Sequence, residues 1–134
     1  MATLTPTITL ASTDVTADET LNLTVTDSLT VAGGSTTFQV VTSTSAAIFL
    51  ANGGYTKSYV FLKNLSTDAA EIIHIRIATA GDLSSGTATG STDTMDLGAG
   101  EFAFFPWSAD GDIAYDAASG TPTLEVRVYQ AAAA

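Results

Sequence analysis

The only histidine in this 134-residue chain is His74, set in an isoleucine-rich stretch beside Arg76. A lone histidine with no motif supplying a nucleophile reads as a sheet residue or cross-strand partner rather than a catalyst. There is no Cys, which removes thiol nucleophiles, redox pairs and the usual structural zinc sites. No G-x-S-x-G, no metal-spaced pair of histidines and no glycine loop opening a phosphate-binding helix occurs. The densest set of oxygen ligands is Asp110-Gly111-Asp112 with Asp116, a weak candidate for Ca²⁺. It lacks the alternating ligands and terminal bidentate Glu of an EF-hand, and turn formation explains the cluster equally well. The 14 acids allow carboxylate pairs of the glycosidase kind, but a chain this small leaves little room for a substrate cleft. The expectation is a non-enzymatic protein with no catalytic residue and no cofactor.

Charge narrows the partners. The formal net charge is −10, from 14 acidic and 4 basic residues. Nucleic-acid affinity comes mainly from Lys and Arg displacing phosphate counterions, so nucleic acid is not an expected partner. An anionic membrane surface is disfavoured for the same reason, and no apolar run approaches a membrane span. The first ten residues, MATLTPTITL, have no basic region and interleave Thr where a signal peptide is solidly apolar, which predicts synthesis and retention in a cytoplasm. The acceptor patterns at Asn22-Leu23-Thr24 and Asn64-Leu65-Ser66 then read as accidents of a Thr/Ser-rich composition. The bases are unevenly placed: none before Lys57, then Lys57, Lys63 and Arg76, then Arg127 alone.

With 46% hydrophobic and 13% charged residues, the chain can bury a core without disulfides or a metal. Its apolar pattern has period two almost throughout. Leu4, Ile8 and Leu10 alternate with polar residues, and Leu21, Leu23 and Val25 do so with Asn22 and Thr24. Ile73, Ile75 and Ile77 share one face, with His74 and Arg76 on the other; Leu124, Val126 and Val128 face in, with Glu125, Arg127 and Tyr129 outward. Asn52-Gly53-Gly54 predicts a hairpin joining 46–50 to 55–63, and residues 81–91 read as a flexible loop. Turn signals recur often enough for about eight to ten short strands, the spacing of an all-β protein. The fold class is therefore a jelly roll or related two-sheet antiparallel β-sandwich, one domain over residues 1–134. Residues 131–134 read as a frayed tail.

Two segments break the alternation. Tyr59-Val60-Phe61-Leu62 and Phe102-Ala103-Phe104-Phe105-Pro106-Trp107 are apolar on both faces, so something must cover the second face. One reading is capping by a loop or by the N-terminal segment. The other is a contact between copies, with Phe105 and Trp107 leading and Tyr59 and Phe61 beside them. Pro106, lacking an N–H, belongs at a strand end or on an edge. Residues 1–10 are a candidate extended arm in which Leu4, Ile8 and Leu10 pair with another chain's sheet edge. The competing reading places those three side chains in the chain's own core.

The stretch Tyr59-Val60-Phe61-Leu62-Lys63-Asn64, the Ile-rich strand, Leu97-Gly-Ala-Gly-Glu101-Phe-Ala-Phe-Phe-Pro-Trp107 and the closing Thr-Leu-Glu-Val-Arg-Val-Tyr strand together resemble small structural proteins of tailed bacteriophages, particularly those of aquatic hosts. The pattern covers roughly residues 55–130 and carries no catalytic signature. The resemblance implies a capsid decoration (cement) protein: a small all-β virion protein on the capsid surface, made in the host cytoplasm. Its partners would be the major capsid protein and itself, as trimers or dimers, with a homotrimer the leading expectation. The alternative from a different class is a tail-associated or carbohydrate-binding β-sandwich that stacks exposed Tyr and Trp on sugar rings.

Overall fold

The computed structural model describes residues 2–16, 19–54, 56–79, 83–84, 87–88 and 94–131. Among them run β1 (Ala2–Leu4), β2 (Thr7–Thr16), β3 (Glu19–Thr26), β4 (Leu29–Val41), β5 (Ala47–Leu50), β6 (Ser58–Asn64) and β7 (Ile73–Thr79). These are followed by β8 (Leu83–Ser84), β9 (Thr87–Ala88), β10 (Met95–Leu97), β11 (Phe102–Trp107), β12 (Gly111–Ala117) and β13 (Thr123–Ala131). Period-two sequences with frequent turn residues give strands and no described helix, as alternating burial on a pleated surface requires.

One sheet has the order β1-β4-β13-β6-β11 and the other β10-β7-β12-β5, all pairs antiparallel. With β1 set aside, these are the two four-stranded layers of a jelly roll. The core lies between them. Val60, Leu62, Leu124, Val126, Val128 and Trp107 from one sheet meet Leu50, Ile73, Ile75, Leu97, Ile113 and Tyr115 from the other. The inward faces of β7 and β13 are those that alternation selects.

Connections depart from the sequence reading in one instructive place. The turn at Asn52–Gly54 forms, with Gly53 at φ 70°, a conformation that glycine adopts without a Cβ clash. Yet β5 pairs with β12, and β6 pairs with β13 and β11, so the turn crosses between sheets and no β5–β6 hairpin exists. The crossing brings Leu50 of β5 and Val60 and Leu62 of β6 into one core from opposite layers. Residues 83–84 and 87–88, expected within a loop, pair as a short ladder, Leu83 opposite Ala88. The rest of 81–91, and residues 132–134 of the expected tail, lie outside the described residues. Pro106 sits on β11, an edge strand bonded to β6 alone, where its missing N–H breaks no ladder.

The N-terminal segment is not a single free arm. Ala2–Leu4 pair with Leu29–Val31 at the edge of the five-stranded sheet, while β2 turns into β3 to form a separate two-stranded hairpin. The chain breaks at Pro6, whose carbonyl accepts a hydrogen bond from Asp27 N–H at 3.1 Å and so closes the hairpin's base. Ile8 and Leu10 are exposed, so they do not fill the core either.

Candidate interaction surface

The residues with the most reactive side chains are held by one another. His74 on β7 stands opposite Asp96 on β10, with Nδ1 2.7 Å from Asp96 Oδ1. Arg76 pairs with Asp116 of β12, both largely shielded. These are cross-strand charge pairs on the outer face of the four-stranded sheet. Asp112 is buried and accepts a 2.7 Å hydrogen bond from Asn52 N–H, which fixes the turn after β5. Asp110 is exposed in the turn after β11. The weak candidate cluster therefore does not assemble: Asp112 and Asp116 stand about 13 Å apart along one strand and serve different partners. No group of three or more candidate ligands gathers among the described residues.

The outer face of the five-stranded sheet is different in kind. Alternation along β6 turns Tyr59, Phe61 and Lys63 outward, and β11 contributes Phe102 and Phe104. Tyr59 stacks on Phe104 with centroids 5.4 Å apart, and Phe61 on Phe102 at 6.0 Å. The Arg127 guanidinium of β13 lies 5.8 Å from the Phe61 centroid, a cation–π contact. Hydrogen bonding to Glu125, reinforced by Tyr129, raises the Arg127 pKa above its usual value and keeps the cation in place. Leu4, Pro6, Phe61, Phe104, Arg127 and Tyr129 line a groove of about 310 Å³ on this face. Phe102 remains 66% exposed.

The hairpin supplies a second apolar surface. Ile8 pairs with Val25 and Leu10 with Leu23, which puts four aliphatic side chains on one face. Thr7, Thr9 and Ala11 with Thr26, Thr24 and Asn22 occupy the other. The four are 50%, 48%, 46% and 53% exposed in the order Ile8, Leu10, Leu23, Val25. Neither strand of the hairpin joins another sheet. Tyr59 Oη lies 3.4 Å from Asp27 Oδ2, so the hairpin's base stands beside the aromatic face.

The four residues anticipated at a contact between copies thus divide. Trp107 is 4% exposed and belongs to the core, and Phe105 is half-buried against it. Both point inward because they share strand parity with Ala103, so internal packing accounts for their apolar character without a second copy. Tyr59 and Phe61 lie on the outer face. Phe102, Phe104, Tyr129, Leu23 and Val25 were read as strand residues but not as contact residues, although parity along each strand carries that information once the inner face is known. Asn64 was also missed: it is fully buried, and its amide donates to the carbonyls of Glu71 and Leu97 at 2.8 and 3.0 Å. Its burial leaves no room for a glycan in the folded state.

No protein-family model matches the chain, and no curated protein matches it. A solved structure of Bacillus endospore appendages, described as a novel family of disulfide-linked pili, contains a similar chain. The match has a TM-score of 0.51 and 17% identity, over 78% of this chain and 91% of that one. The likeness shows a shared β-rich fold. The disulfide linkage named for those pili has no counterpart here, since this chain has no Cys.

Proposed function

We propose that this protein is a non-enzymatic structural component of a phage particle, a decoration protein that binds the capsid surface and its own copies. The observation that carries the reading is the β2–β3 hairpin, whose aliphatic face is half exposed and joins no sheet of its own chain. A lone two-stranded hairpin is marginal in water, and a contiguous apolar patch on a soluble chain marks a protein contact. The jelly-roll body supplies a rigid platform for it. High negative charge on the outward surface would keep decorated particles apart in solution. The capsid assignment itself comes from the resemblance of residues 55–130 to phage structural proteins.

The groove over Phe61 and Phe104 favours a second reading, a tail-associated module that stacks sugars on aromatic rings. Such sites need convergent polar groups to orient hydroxyls, and here Arg127 is already engaged by Glu125. Quantitative mass spectrometry of purified source particles separates the two. Hundreds of copies per particle, lost from the head on mild denaturation, is the expected result. A handful of copies that stay with the tail would overturn it.

A further inference from the structure

We propose that the aliphatic face of the β2–β3 hairpin seats on the aromatic outer face of a second copy of this chain, so that self-association joins two different surfaces. The inference rests on the reading of the protein as an assembling structural subunit and names what covers its hairpin. Both surfaces are built on two antiparallel strands and offer two rungs of apolar side chains. On the hairpin these are Ile8 opposite Val25 and Leu10 opposite Leu23; on the sheet they are Tyr59 opposite Pro106 and Phe61 opposite Phe104, with the Tyr59–Phe104 and Phe61–Phe102 rings stacked diagonally between rungs. Two such faces can interdigitate as the layers of a sandwich do, about 10 Å apart.

Charge selects this pairing over hairpin against hairpin. Residues 7–26 contain Asp14, Asp18 and Glu19 and no base, so two hairpins laid together would repel. The aromatic face carries Lys63 and Arg127 on its own strands, with Lys57 just before β6, three of the four bases in a chain of net charge −10, against Glu125, which pairs with Arg127 and stands opposite Lys63, and Asp27 beside Tyr59. An acidic hairpin therefore meets bases in slight excess on this face, where a second hairpin would offer it acids alone. The surfaces are distinct, so the contact is heterologous and each copy can give a hairpin and receive one.

The experiment uses two full-length variants. Leu10→Asn/Leu23→Asn removes the giving surface, and Phe102→Asn/Arg127→Glu removes the receiving one. All four positions are exposed, and circular dichroism melts matching the parent verify both folds before mixing. Sedimentation is run up to roughly 1 mM, where weak contacts are populated. The parent should exceed the monomer mass, each variant alone should be monomeric, and their equimolar mixture should form a complex of two copies. A monomeric parent, a variant that assembles alone as the parent does, or a mixture that stays monomeric would each overturn the inference. A monomeric parent present at high copy number on particles would remove this contact while leaving the capsid role intact.

Discussion

Asn64 N–H donates to the Glu101 carbonyl at 3.0 Å, tying the end of β6 to the turn that opens β11. The Asn64 carbonyl accepts from Gly100 N–H at 3.1 Å, and its side chain crosses to Leu97 in the opposite sheet. One buried residue therefore joins both layers. Asn64→Ala should cost about 2–3 kcal/mol, because buried carbonyls lose their donor. Asn64→Asp should cost more, since a carboxylate would face two carbonyl oxygens. Urea unfolding with an unchanged m-value checks both.

Trp107→Ala should destabilise the free protein by about 3–5 kcal/mol, the usual cost of emptying an aromatic site in a core. Phe102→Ala, at the other end of the same strand and on its outer face, should change monomer stability by no more than about 0.5 kcal/mol. Thermal melts of dilute protein give the contrast; a small effect of Trp107→Ala would contradict its place in the core.

His74→Gln should shift stability by less than about 1 kcal/mol, because its Asp96 partner is 58% exposed and such pairs contribute little. The measurement is again urea unfolding, with particle binding assayed alongside. An intact fold with lost binding would assign His74 a functional role.

Two glycines at positive φ should respond differently to alanine. Gly53 (φ 70°) has open space at its Cβ position, so Gly53→Ala should cost about 1–2 kcal/mol from backbone strain alone. At Gly120 (φ 64°) a Cβ would collide with Glu71 Oε1, whose carboxylate is also bonded to Ser66. Gly120→Ala should therefore be the more damaging, as melting temperatures will show.

Excising residues 7–26 and joining Pro6 to Asp27 through Gly-Gly should leave the jelly roll folded, because the Pro6–Asp27 hydrogen bond already brings the ends together. Removing residues 1–10 instead would also strip β1 from the sheet edge and orphan β3. Circular dichroism of the excised protein is expected to retain its β signal and a cooperative melt.

Much of the architecture was legible from alternation alone. Ile73, Ile75 and Ile77 and Leu124, Val126 and Val128 declared their faces because each flanks polar partners at period two. β6 and β11 did not, since a strand apolar on both sides leaves parity undetermined until Val60 and Leu62 are seen in the core. The same ambiguity assigned Trp107 to an interface. The crossing at Gly53 was hidden for another reason: turn chemistry specifies a reversal of direction but not which layer the next strand joins. Asn64 gave no signal because its partners, Glu71 and Leu97, approach only after the sheets close.

The central position of β13 has a consequence for how the chain is made. It pairs with β4 on one side, Thr123 opposite Val41, and with β6 on the other, Leu124 opposite Asn64. Until the ribosome has delivered residues 123–131, those two earlier strands face each other across a gap of one strand's width and neither has its inner neighbour. Closure must then wait for contacts distant in sequence, which fold slowly. Throughout that interval two long strand edges stay open to other nascent chains, so yield in expression should depend on temperature and crowding more than the stability of the finished protein would suggest.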